Sequence, residues 1–139
     1  MKANKGFTLV ELMLVVIIIS ILVAMVVPRL MGRSDQAREA AARADIDANL
    51  SSALDLYEAD MGSFPKSDEG LDSLINKPTG TQSARRWRGP YIKKRPIDPW
   101  GNPYLYKSPG THGLGYDLFS SGKDGNEGGG DDITSWEKD

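Results

Sequence analysis

A chain of 139 residues with 17 lysines and arginines against 19 aspartates and glutamates carries a net charge of −2, which gives it no general attraction to nucleic acid. It has no cysteine, so disulfides, thiolate metal sites and lipid-modified cysteine anchors are excluded, and its one histidine, His112, cannot build a histidine zinc site or a catalytic dyad. The first thirty residues are largely apolar, which leaves about 110 for one small domain whose modest core needs an extra tie.

The chain opens on Met1–Gly6, a short segment with Lys2 and Lys5 and no acid. Phe7 to Val27 follows, apolar except for Thr8, Glu11 and Ser20, and as a helix it would reach roughly 32 Å, about the thickness of a bilayer core. A secretory signal has a shorter apolar stretch ending in a small-x-small cleavage site, whereas this one ends in Val26-Val27-Pro28-Arg29-Leu30. A plain anchor fits the length but leaves Glu11 unexplained. A carboxylate in lipid costs about 2.5–3.5 kcal/mol at mid-membrane and less near the interface, so it needs a partner and a task. Lys2 and Lys5 favour a cytoplasmic N-terminus, yet Arg29 and Arg33 flank the other end, so basic residues alone do not set the orientation.

From Ser34 to Asp60 the sequence is rich in alanine and charge, with no glycine or proline. Ile46, Leu50, Ala53, Leu54, Tyr57 and Met61 recur at three- and four-residue steps, one apolar stripe that predicts a helix laid on the domain's own sheet. Pro28 and Gly32 predict a kink between this helix and the apolar one, and Gly62 and Pro65 end it. A short helix is expected next, capped by Ser67 or Asp68, with Leu71, Leu74 and Ile75 facing inward and Pro78 closing it. Residues 79–103 read as a loop, with turns at Gly89-Pro90, Asp98-Pro99 and Gly101-Asn102-Pro103. Tyr104 to Lys107 and Tyr116 to Phe119 are strand candidates, with a weaker one at Tyr91-Ile92, and together they predict a small antiparallel sheet.

Gly6-Phe7-Thr8-Leu9-Val10-Glu11 resembles the processing site of the type IV pilin and pseudopilin superfamily. The resemblance implies that a prepilin peptidase cuts between Gly6 and Phe7 and methylates the new terminal amine. Residues 1–6 are then a leader, 7–27 a transmembrane assembly helix and 28–139 a periplasmic domain. It also implies that Glu11 neutralises the terminal amine of a neighbouring subunit, removing two desolvated charges at once. Ser63-Phe64-Pro65, Glu69-Gly70-Leu71, Gly89-Pro90-Tyr91-Ile92 and Asp98-Pro99-Trp100-Gly101-Asn102-Pro103-Tyr104 resemble the major pseudopilins of type II secretion systems. So do Tyr116 to Gly125, Asp131-Asp132-Ile133 and Trp136, while Gly128-Gly129-Gly130 and the polar tail depart from that pattern. The implied fold is α+β and pilin-like, a long N-terminal helix against a small antiparallel sheet with a calcium-bound C-terminal loop. The implied function is a structural subunit in the bacterial inner membrane, N-terminus cytoplasmic and domain periplasmic. It would polymerise with itself into a pseudopilus, together with minor pseudopilins and an inner-membrane assembly platform, to export folded proteins across the outer membrane. A type IV pilin or minor pseudopilin is the alternative, although pilins usually close a C-terminal loop with a disulfide that this chain lacks. A calcium-binding module on a simple anchor is a third reading, and it needs no processing.

Asp117, Asp124, Asp131 and Asp132 cluster among glycines, a composition that suits either a hard cation or a solvated acidic loop. Counted from Asp124 the spacing is not that of an EF-hand. The resemblance implies one calcium ion held by the carboxylates of Asp117 and Asp124, with carbonyls of Leu114, Ser120 and Asn126 completing the shell. Arg85-Arg86-Trp87-Arg88 reads as a solvated loop or a charged contact to the next subunit, Gly122-Lys123-Asp124 is not a phosphate-binding loop, and no activated nucleophile or paired-carboxylate cleft supports an enzyme.

Overall fold

Helix formers dominate the first sixty residues. In the computed structural model, which describes residues 6–79, 83–113 and 115–137, the chain is helical over almost all of that stretch. Helix α1 runs over Leu9–Ala44, and its backbone stays helical across Pro28 and Gly32. A π-helical segment, Asp45–Leu50, follows and leads into α2, Ser51–Met61, which ends where Gly62 turns left-handed at φ 86°. The chain divides between Ala37 and Arg38 into an N-terminal unit and a second unit, Arg38–Asp139.

Within the second unit the expected stripe is the core. Ile46, Leu50, Ala53, Leu54 and Tyr57 are buried with Ala42, and they pack with Tyr104, Tyr116, Leu118 and Ile133 from the sheet side, with Met61 partly buried against them. The wider π turn was not legible in the apolar spacing. It is pinned at both ends by tyrosines, because Tyr104 donates to Asp45 (3.0 Å) and Tyr116 to the Ser51 hydroxyl (3.1 Å), which in turn donates to the Ile46 carbonyl (2.6 Å). Burial and the Asp45 carboxylate together push the Tyr104 phenol well above its usual range, so it acts as a donor at every physiological pH.

The sheet has three strands in the order β1 (Leu105–Lys107), β2 (Asp117–Ser120) and β3 (Ile133–Thr134), all antiparallel. Two strands lie within a residue of their expected places, and β3 was not expected, since two residues after a glycine run carry no alternation. Tyr91-Ile92 is not a strand. Both backbone N–H groups point instead to the Leu74 carbonyl, 2.7 and 3.4 Å away, closing the end of the preceding turn. That turn is a 3-10 helix, Gly70–Leu74, shorter and later than expected; Leu71 and Leu74 are buried as the pattern required. Ser67 does not cap it, because its hydroxyl is bonded to both the N–H and the carbonyl of Ser108, each at 2.9 Å. The expected loop also contains a one-turn helix α3, Ser83–Arg86.

Leu54 and Leu56 test this packing from one helix. Leu54 is fully buried and Leu56 is 59% exposed. Leu54→Ala is expected to cost about 3 kcal/mol in urea unfolding of the soluble part, residues 32–139, through lost burial and a residual cavity. Leu56→Ala should stay within about 0.5 kcal/mol of wild type. Equal losses for both would mean that α2 does not face the sheet as described.

Candidate functional site

Two regions hold the residues singled out by sequence, and the first is the start of α1. Thr8 is the residue before the helix and Glu11 lies in its first turn. The Glu11 carboxylate accepts the Thr8 N–H (3.0 Å) and the Thr8 hydroxyl (3.1 Å), while the Glu11 N–H donates to that hydroxyl (3.2 Å). This is a capping box, two donors at the helix end satisfied reciprocally, and a negative charge there also suits the helix dipole. Glu11 therefore has a task inside its own chain. Thr8 was overlooked, although the spacing Thr-x-x-Glu signals it. Beyond the cap, Leu9–Val26 forms 18 residues long and apolar enough to cross a membrane, about 27 Å of helix, with its apolar side chains exposed. The one hydroxyl within it, Ser20, donates to the Val16 carbonyl at 2.7 Å. Gly6 and Phe7 precede the helix, and among the described residues a Cβ built at Gly6 would meet nothing within 4 Å.

The second region is the C-terminal loop. Asp117 opens β2 and is 3% exposed. Its Oδ2 accepts the backbone N–H (2.8 Å) and hydroxyl (2.7 Å) of Thr111 and lies 3.1 Å from His112 Nδ1; its Oδ1 accepts the His112 backbone N–H at 3.3 Å. Burial raises the Asp117 carboxyl, but these donors from Thr111 and His112 outweigh it and hold it down at about 2. The His112 ring lies flat on Trp136, 3.9 Å between centroids, and Phe119 meets Trp136 edge-on. His112 is thus a loop residue, as expected, and a partner of Asp117 as well.

Asp124 sits in the exposed turn after β2. Its Oδ1 accepts the Asn126 N–H (2.8 Å), and the Asn126 side chain donates back to the Asp124 carbonyl (3.0 Å). Asp131 Oδ2 accepts the N–H groups of Lys123 (2.7 Å) and Asp124 (3.0 Å), and the Asp124 N–H, more than any other group, keeps the Asp131 carboxyl below its usual range. Its other oxygen, Oδ1, is sealed from solvent without a donor. That oxygen and the Asp124 carboxylate converge on the space over Gly129, where a Cβ would stand 2.9 Å from Asp131 Oδ1 and closer still to Asp124 Oδ2. Two carboxylates crowding a bare glycine, one of them with an unpaired buried oxygen, form a donor set for a hard cation such as calcium.

Asp117 bonds to Thr111 and His112 and shares a cleft with Glu127, Gly128 and Asp132, whereas Asp124 meets Asp131. Among the described residues no three of His, Asp or Glu stand where they could jointly hold a metal ion. Of the expected carbonyl donors, Asn126 lies in the same turn as Asp124, Ser120 is buried with its hydroxyl donating to Asp98 (2.6 Å), and Leu114 lies outside the described residues.

Comparison with known proteins matches two family models along the chain. Residues 1–27 match the family model for the prokaryotic N-terminal methylation motif, and residues 29–136 match that for type II secretion system protein G. Type II secretion system core protein G of Pseudomonas aeruginosa is 48% identical over 140 residues, covering 98% of this chain and 97% of its own. Its counterpart in Escherichia coli K12 is 47% identical, covering 96% and 91%. Among solved structures, the crystal structure of the major pseudopilin from the type 2 secretion system of enterohaemorrhagic Escherichia coli is similar with a TM-score of 0.67 and 40% identity, over 80% of this chain and 96% of that one.

Proposed function

The chain belongs to the type II secretion system protein G family, the family of the major pseudopilin, and from that membership we propose how it works. A prepilin peptidase removes residues 1–6 and methylates Phe7. The mature subunit rests in the inner membrane through α1, its N-terminus cytoplasmic and its domain periplasmic. It then polymerises with itself, in contact with the assembly platform and minor pseudopilins, into a fibre that drives folded proteins across the outer membrane. The observation that carries this reading is the joining, in one chain, of a methylation motif over residues 1–27 to a protein G domain over 29–136. The family is one of structural subunits, and the chemistry assigned to this chain is assembly, not catalysis.

Intact mass of the mature protein tests the first step, and it should begin at methylated Phe7. Gly6→Val should insert but remain uncut, because a β-carbon crowds the peptidase where the leader must lie close to it. Among the described residues a Cβ at Gly6 meets nothing within 4 Å, so lost cleavage would report on the enzyme rather than on misfolding. Normal processing of Gly6→Val would sink this assignment, and a Met1 start in wild type would favour a simple anchor.

The loop reading is a calcium staple. Asp117 and Asp124 would supply carboxylates, with carbonyls of Leu114, Ser120 and Asn126 beside them. The bound ion would neutralise crowded acid in a segment that has little apolar burial to hold it. What supports this is the kind of donor present: hard oxygens, with the unpaired oxygen of Asp131 facing Asp124 across Gly129.

A further inference from the structure

Asp98 is a buried carboxylate to which assembly through α1 gives no task. It lies between α3 and β1, is 4% exposed, and its hydrogen bonds come from uncharged donors. Oδ1 accepts the backbone N–H groups of Trp100 (3.0 Å) and Asn102 (2.8 Å), and Oδ2 accepts the Ser120 hydroxyl (2.6 Å). The first two close the turn at 98–102, together with the Asp98 N–H on the Asn102 carbonyl (2.8 Å). The third leaves that turn, because Ser120 is the last residue of β2 and is fully buried. Burying a carboxylate is costly, so the bond it makes outside its own turn needs a reason.

The reason lies one residue beyond the strand. A hydroxyl has one proton to give and lone pairs to receive with, whereas a carboxylate only accepts. Asp98 therefore takes the Ser120 proton and leaves the Ser120 oxygen to accept the Gly122 N–H, at 3.1 Å. Gly122 is where the C-terminal loop departs from the sheet. Its φ is +63°, and a Cβ there would stand 2.7 Å from Asp131 Oδ2. From the other side the Asn102 amide reaches the Gly122 carbonyl at 3.5 Å. Lys123 and Asp124 follow, and both of their N–H groups bond to Asp131 Oδ2. The direction in which the loop sets out, and with it the facing of Asp124 and Asp131 across Gly129, traces back to Asp98.

We propose that Asp98 is a positioning residue for the C-terminal loop, acting through Ser120 on Gly122 to hold the Asp124 and Asp131 carboxylates face to face for a cation. The inference deepens the calcium-staple reading and rests on it wherever the ion is concerned. Asp98 itself need not touch the ion; it fixes the backbone that carries Asp124.

Amide exchange and calcium titration of the full-length chain in detergent micelles test this role. Asp98→Asn keeps an acceptor for Trp100 and Asn102 but turns an amide donor toward Ser120, so the hydroxyl proton loses its acceptor. Ser120→Ala removes the link outright. In chelator, both should make the amides of residues 122–132 exchange about tenfold faster or more, since each leaves a buried polar group unpaired. Because the two residues act in series, the double variant should be no worse than Ser120→Ala alone. Both should also raise the dissociation constant for calcium at least about tenfold, as the loss of a group supporting a metal ligand does. Leu54→Ala weakens the domain from α2 and should leave loop exchange and calcium affinity at wild-type values, which separates positioning from a general loss of stability. Asn102→Ala should shift both readings in the same direction by a smaller factor, and it decides the matter where the buried variants do not fold. Wild-type loop exchange in the variants, additive effects in the double, or equal loosening by Leu54→Ala would overturn the positioning role. So would unchanged affinity in variants of a wild type that binds calcium. If wild type takes up no calcium, the staple reading fails alone, and the exchange comparison in chelator still decides the role of Asp98.

Discussion

Glu11→Leu is expected to reach the membrane in at least wild-type amounts and to form no fibre. An apolar side chain costs less than a carboxylate in lipid, so insertion does not suffer. Assembly does, because a terminal amine drawn into the fibre would then be buried without a counter-charge, and an unpaired buried charge costs several kcal/mol. The geometry of Glu11 makes leucine an ambiguous probe taken alone. Its carboxylate also closes the capping box with Thr8, and losing a cap costs about 1 kcal/mol. Glu11→Gln separates the two tasks, since glutamine can still accept from the Thr8 N–H and hydroxyl but carries no charge. If the charge matters, glutamine fails to polymerise as leucine does, and fibre yield on shearing and sedimentation should fall at least about a hundredfold in both. Wild-type fibre from Glu11→Gln, with failure confined to leucine, would reduce Glu11 to a helix cap.

What the sequence disclosed and what it hid differ in physical kind. The apolar run and the stripe from Ile46 to Tyr57 were legible because burial and lipid contact act on side-chain periodicity, which is written directly in the chain. The π turn at Asp45–Leu50 was hidden because it is selected by tertiary partners, Tyr104 and Tyr116, more than fifty residues away. Strand β3 was hidden for a like reason: Ile133 and Thr134 are a strand only because Ser120 and Phe119 lie opposite them. At the loop, the acids were plain and their pairing was not. The family resemblance implies that Asp117 and Asp124 share one ion, and it did not disclose that Asp117 also bonds to Thr111 and His112 or that Asp124 meets Asp131. Backbone donors compete for carboxylates as metals do, and a sequence does not reveal which of them wins.

Chelation is expected to lower the melting temperature of the soluble part, residues 32–139, by about 10 °C relative to calcium at a hundred times its dissociation constant. That excess corresponds to about 2.7 kcal/mol, and in a domain near 100 residues each kcal/mol moves the midpoint by several degrees. The two aspartates should behave differently. Asp124 is exposed, and its carboxylate accepts from Asn126 in its own turn, so Asp124→Ala should melt near chelated wild type and ignore added calcium. Asp117→Ala should melt lower still, because it also removes the hydrogen bonds that this buried carboxylate accepts from Thr111 and His112. Magnesium should do little, since it holds its water and demands a tighter octahedron. Acid does not confuse the comparison at pH 7. The Asp117 carboxyl is depressed to about 2, so its contribution is present above the unfolded value, about 3.9, and is lost only as pH falls through the folded one. Loss of the ion should loosen residues 121–132 first and leave α2 folded, which amide exchange can follow residue by residue. If wild type melts at one temperature in calcium, magnesium and chelator alike, the loop is held by its own hydrogen bonds. The unpaired oxygen of Asp131 must then be accounted for by something other than a cation.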